Sequence, residues 1–145
     1  MPIGIDPVAS YTYHVEIDGL VIAQFKEVSG LSVTITVIEH RENKLGGLPV
    51  LKKLPGVIDY PDIVLKRGRI NDPAFWNWIK QVQDGQIDAA RRHGSVTLFD
   101  YAHGMVSKFD FINGWPSKVD IGTLGADSNT VLLESVTITH EGLTW

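Results

Sequence analysis

A chain of 145 residues with 43% apolar content fits one domain, taken as residues 1–145, that can bury about 70% of its unfolded surface. It contains no cysteine, which excludes disulfides, thiolate metal sites and cysteine nucleophiles. The net charge of -4 argues against general nucleic-acid binding.

The first ten residues, "MPIGIDPVAS", lack the basic and apolar regions of a signal peptide. The expectation is a chain made and folded in the cytoplasm, which leaves the cell, if at all, by another route. In "YTYHVEI", Tyr11, Tyr13, Val15 and Ile17 alternate with polar residues at the period of a half-buried strand. Asp18-Gly19 then signals a two-residue hairpin, and "LVIAQFKEV" is the return strand. After Ser29-Gly30, "LSVTITVIEH" alternates again through Leu31, Val33, Ile35 and Val37. The N-terminal third is therefore predicted to be antiparallel β.

Residues 41–57 read as a long loop, because Gly46-Gly47, Pro49 and Pro55-Gly56 punctuate any regular element. Its Leu45, Leu48, Val50, Leu51 and Leu54 are too apolar for a solvated or disordered segment, so a partner that covers them is expected. "DIVLKRGRI" is a further strand. Its run Lys66-Arg67-Gly68-Arg69 alternates over both faces, which weakens the case for a phosphate-binding stripe.

A helix follows. Asp72 is the predicted cap, Pro73 occupies the first turn and Asp84-Gly85 stops it. Phe75, Trp78, Ile79 and Val82 share one helical face, so Trp78 is assigned to the core. Trp76 falls on the flank of that face, where a loop or a neighbouring subunit would cover it. "QIDAARRHG" adds a short turn or helix. "SVTLFDYA" and "MVSKFDFIN" flank His103-Gly104, a candidate two-residue hairpin. "WPSKVDIG" reads as a short edge-like strand started by Pro116, "TLGADSNT" as a loop, and "TVLLESVTITHEG" as the closing strand.

No chemistry emerges from the motifs. The five histidines fall in no zinc spacing. "DGQIDAARRHGS" fails as a calcium loop, with Ala89 at the glycine position and Ser95 in place of the closing Glu. There is no nucleophile elbow, phosphate loop or dinucleotide fingerprint. No catalytic, cofactor-binding or metal-binding residue is assigned.

Charge is segregated along the chain. Residues 1–39 carry one base against five acids, residues 40–70 seven against three, residues 71–99 three against three, and residues 100–145 two against six. A basic middle between acidic ends is either a set of solvated loops or a surface complementary to another copy.

Three segments carry a resemblance. "FKEVSGLSVTITV", "KLPGVIDYPDIVLKRG" and "DPAFWNWIKQVQDG" resemble, in the same order, the tail tube proteins of contractile phages and phage-tail-like injection systems. The closing "LLESVTITHEGL" is similar too. The resemblance implies a mainly β (α+β) fold: two packed antiparallel sheets in a barrel-like sandwich, with one helix and a long extended loop. It implies hexameric rings stacked into a hollow tube, which conducts DNA or effector proteins through a target envelope. Implied partners are other copies of the chain, a sheath protein, baseplate and spike-hub proteins and a tube terminator. No enzymatic activity, cofactor or membrane insertion is implied. The site of action would be an assembled phage tail or tail-like particle, made in the bacterial cytoplasm.

Leu45, Leu48, Val50, Leu51, Lys52, Lys53, Arg67, Arg69 and Trp76 are the expected inter-subunit contacts. Two alternatives stay open at this point. One is a tube initiator or baseplate paralogue of the same fold. The other is a monomeric β-domain that binds carbohydrate or nucleic acid.

Overall fold

The computed structural model describes residues 12–18, 20–43, 46–68, 73–100, 104–122 and 133–145. In chain order these form β1 (Thr12–Ile17), β2 (Leu20–Phe25), β3 (Glu27–Ser29), β4 (Thr34–Asn43), β5 (Pro49–Asp59) and β6 (Ile63–Gly68). Then come helices α1 (Ala74–Gln83) and α2 (Ile87–Ala90), followed by β7 (Arg92–Phe99), β8 (Met105–Ile121), β9 (Leu133–Thr139) and β10 (Gly142–Thr144). Every strand pairing is antiparallel.

The strands run in the order β2-β1-β7-β8-β9-β6-β3, with β10 also on β8 and β4-β5 as a separate pair. Two segments bind this array into a barrel-like sandwich. The first is the predicted return strand, which is divided rather than continuous. β2 pairs with β1, the Lys26 N–H donates to the Lys66 carbonyl at 3.0 Å, and β3 pairs with β6. The second is β8. Its first half pairs with β7 and β10, and its second half with β9.

The expected edge strand beginning at Pro116 is thus the second half of one 17-residue strand. Pro116 is buried inside it, at a register shift between Pro116 and Lys118. A ladder can absorb a missing N–H at such a shift.

Other local predictions match their chemistry. Ile17 pairs with Leu20, leaving the predicted two-residue connection, and Asp18 has φ of 53°, as a type I′ turn requires. In contrast, Phe99 pairs with Met105, so five residues connect β7 to β8 instead of two. The Gly104 N–H donates to Asp100 Oδ1 at 2.8 Å and the Asp100 N–H to the Gly104 carbonyl at 3.0 Å, which closes that loop. His103 lies outside the described residues, as does Asp72, the predicted helix cap.

The α1 stop is as predicted. Gly85 has φ of +80°. Its N–H donates to Val82 O and the Gln86 N–H to Gln81 O, the paired bonds of a Schellman ending.

The core fills the space between the sheets and α1. Val15, Ile17, Phe25, Ile63, Leu65, Phe75, Trp78, Val96, Phe111, Val136, Ile138 and Leu143 are buried there. β1, β6 and β9 each point alternate residues inward, as the period of two requires. Trp78 anchors α1, and its indole N–H donates to the Ala90 carbonyl at 2.7 Å. Phe111 lies against two glycines: a Cβ on Gly94 would sit 2.4 Å from its ring, and one on Gly114 2.5 Å.

Candidate assembly surface

The predicted loop at 41–57 is a β-hairpin. β4 pairs with β5 from Thr34↔Asp59 to Asn43↔Pro49, and neither pairs with any other described strand. The residues read as punctuation mark its turn and its bulge. Gly46 and Gly47 take φ of +105° and +78° near the tip, values that favour glycine. Pro55-Gly56 sits at the register shift between Ile35 and Val37, where the ladder is already irregular. A Cβ on Gly56 would come within 2.9 Å of the Thr36 carbonyl.

Every residue of β4 is exposed, and in β5 only Val50 and Gly56 are half-buried. The expectation that Val33, Ile35 and Val37 form the buried face of a strand is therefore corrected. They alternate, but no described part of the chain covers them. Ile38, Leu48, Leu51, Leu54, Val57 and Ile58 are exposed with them, Leu48 and Val57 at over 70%. A solitary two-stranded ribbon is marginal in water, and an apolar exposure of this size marks an interaction surface.

The hairpin also carries Lys52, whose ammonium lies 3.0 Å from Glu42, and Lys53 opposite Glu39. So Leu48, Val50, Leu51, Lys52 and Lys53 are brought together on one projecting element. Leu45 and Arg69 lie outside the described residues. The leucine content of the supposed loop pointed to this surface. Ile35 and Val37 belong to it and were missed because their alternation was read as burial within the chain, and Ile38, Val57 and Ile58, which also belong to it, were assigned to no surface.

Arg67 requires a correction. Arg67 is 2% exposed and faces the core. Its Nε donates to Glu134 Oε2 at 3.0 Å, and Trp76 Nε1 donates to Oε1 of the same carboxylate at 2.7 Å. Arg67 is thus enclosed within the chain, whereas Trp76 is half-buried and keeps part of its ring exposed.

Besides the outer edges of the hairpin and of β3, two strand edges are open among the described residues. β2 has a described partner only in β1, and β10 only in β8. Met105–Phe109 of β8 pair on the β7 side alone. Exposed Met105, Val106 and Trp145 cluster along that second edge. Unpaired edges of this kind are templates for pairing with another chain.

The outer face of β1, β7 and β8 mixes charged side chains with exposed Val106 and Ile112. It holds a shallow recess of about 330 Å³ lined by Glu16, Asp18, His93, Ser95, Lys108 and Asp110. Its charges offset one another, with Arg92 Nε 3.7 Å from Asp18 and Lys108 Nζ 4.0 Å from Asp110. Among the described residues no three metal-ligating side chains converge, and no helix is long and apolar enough to cross a membrane.

Residues 9–144 match the family model of the T4-like virus tail tube protein gp19. The chain belongs to the tail tube protein family. No curated protein sequence matches it. Its fold is shared with several solved structures. One is a chain of the sheath–tube complex of an extracellular contractile injection system, PVC, in the extended state. It is 22% identical over 95% of this chain and 90% of that one, with a TM-score of 0.78. A second comes from the tube-terminating cap of the anti-feeding prophage, 22% identical over 99% and 94%, with a TM-score of 0.80. Hcp1 from Flavobacterium johnsoniae is 16% identical over 92% and 93%, with a TM-score of 0.55. The tail tube protein is thus a structural subunit of mainly β architecture, as expected, and its exposed hairpin and open edges are read in that light.

Proposed function

We propose that this tail tube protein, a single domain, forms the inner tube of a contractile tail or tail-like injection particle. Six copies close a ring, and rings stack head to tail into a hollow tube that conducts DNA or effector proteins. The observation that carries this reading is the β4–β5 hairpin, whose large apolar side chains are left in water by the rest of the chain. A closed ring joins the β2 edge of one copy to the β8–β10 edge of the next, which covers those two edges. Head-to-tail repetition needs two different complementary surfaces. The basic segment 40–70 and the acidic segments on either side of it supply opposite charge. Leu48, Val50, Leu51, Lys52 and Lys53 then contact an adjacent subunit.

The sheath, baseplate and terminator are the partners of such a tube, and the role is structural, with no catalysis or cofactor. Solved relatives of this fold come from a sheath–tube complex, a baseplate and a tube-terminating cap.

Native mass and negative-stain microscopy of the purified protein test the reading. Six-copy rings or tubes are expected. The paired substitution Leu48→Asp and Leu51→Asp should shorten or abolish the tubes. A clean monomer at high concentration, or variant tubes of unchanged length, would refute it.

A further inference from the structure

The β4–β5 hairpin joins the rest of the chain through two short legs, residues 30–33 and 60–62. The legs are pressed together where they meet the body, because a Cβ on Gly30 would overlap the Asp62 carbonyl. Gly30 also takes φ of +87°, a conformation that favours glycine. The legs therefore turn as one piece, and whatever holds one of them to the body sets the direction of the whole ribbon.

We infer that His140 fixes the direction in which the hairpin projects, by clasping the returning leg to the corner from which β10 starts. The tube reading gives this clasp its purpose, but the clasp itself belongs to the single chain.

β6 and β9 pair as far as Ile63 opposite Ile138. Continuing that register sets Pro61 opposite His140. Proline has no N–H to give to a ladder, and the backbone pairing stops short of it. The His140 side chain takes over. Its Nε2 lies 3.2 Å from the Pro61 carbonyl and its Nδ1 3.0 Å from the Gly142 carbonyl. Gly142 is the first residue of β10. Carbonyls only accept, so each contact is a ring N–H donating. A neutral ring makes one of the two bonds, and the imidazolium makes both.

The ring is 7% exposed, with the Tyr60 ring 5.8 Å and the Phe111 ring 6.2 Å from its centre. Tyr60 belongs to the leg and Phe111 to the core. One side chain thus ties together the root of the hairpin, the core and the start of an open edge. Leu31 and Tyr60 also pack against the core, but apolar attraction is non-directional, whereas a hydrogen bond prefers an angle. Among the described residues, His140 is the one side chain that bonds to either leg.

The chain has no cysteine, so two introduced ones carry nitroxide labels alone. V57C on β5 with D88C on α2 spans hairpin and body, and D88C with K118C on β8 spans the body only; all three positions are exposed. Distances are read by pulsed electron spin resonance on the unassembled chain, held at a dilution where native mass shows single copies. The parent should give one narrow distance for each pair. His140→Phe keeps a ring in the packing and removes both donors. It should spread the hairpin distance into a broad distribution and leave the body distance as it was. His140→Gln returns one donor and should narrow the hairpin distance again, which packing alone would not do. A broad hairpin distance in the parent, or an unchanged width in the Phe variant, overturns the inference. Should the Phe variant lose the body distance too, the parent decides by hydrogen exchange. Its His140 Nε2 proton must be protected, and a freely exchanging one overturns the clasp. Tubes are scored separately. A Phe variant with the widened distance should make shorter tubes than the parent, and tubes of equal length would overturn the role in assembly. If the parent makes no tubes, the tube reading fails, while the distances still judge the clasp.

Discussion

Arg67 and Glu134 stand opposite each other in the inward rows of β6 and β9, directly beyond Leu65 opposite Val136 and Ile63 opposite Ile138. A charged pair thus occupies the next core position after two apolar ones. Glu134 is fully buried, and Arg67 bonds it through Nε. Neither Nη1 nor Nη2 of Arg67 has a hydrogen-bond partner. The guanidinium instead lies over Phe25 and Phe75, 5.3 Å and 5.1 Å from their ring centres, where cation–π attraction offsets part of its desolvation. Removing one member of such a buried pair is more damaging than replacing both. Arg67→Met should cost about 3 kcal/mol in urea unfolding. The double change Arg67→Met with Glu134→Gln should cost less than that single one, since Gln still accepts from the Trp76 indole. Equal losses would show that the ion pair is not the source of the penalty. The sequence placed Arg67 on the correct strand but not in the core. Its counter-charge is 67 residues away, and a lone Arg after Lys66 carries no local sign of that partner.

At the scale of the elements, strands with a strict period of two and a nearby core were readable, as were the helix face and its glycine stop. Val15, Ile17, Ile63 and Leu65 are buried where alternation puts them. What misled were residues whose usual meaning is set by partners elsewhere. Pro116 and Pro55 look like strand ends, yet both sit at register shifts within strands. Ile35 and Val37 look like a half-buried strand, yet their cover is not part of the described chain. The assembly surface was legible as a misplaced cluster of leucines, but not as a hairpin, because its register depends on the bulge. Close packing between elements was invisible as well. Nothing near "RHGSV" announces that β1 and β8 approach Gly94 so tightly. A Cβ there would stand 2.4 Å from the Phe111 ring and 2.7 Å from the Glu16 carbonyl. Gly94→Ala should therefore lower stability by about 1–3 kcal/mol, the usual cost of overpacking. Thermal or urea unfolding reads this directly, and an unchanged midpoint would mean that the strands can part freely.

At the scale of the whole molecule, two kinds of contact hold the proposed tube, and they respond differently to salt. Ring closure relies on backbone hydrogen bonds between open edges. Stacking relies on a hairpin that combines apolar side chains with Arg41, Lys52 and Lys53. Raising salt from 0.1 M to 1 M shortens the screening length from about 10 Å to about 3 Å. High salt should therefore shorten tubes into free rings before it releases subunits from rings, as followed by light scattering and native mass. Release of monomers first would reverse that hierarchy. The 17 residues of β8 bear on such a tube in another way. One half of the strand is laced into the β7–β10 side and the other into β9. Axial thrust entering either sheet is therefore handed to the other along covalent bonds, like a load carried by a through-beam. The two layers cannot slip past each other unless the backbone itself gives way.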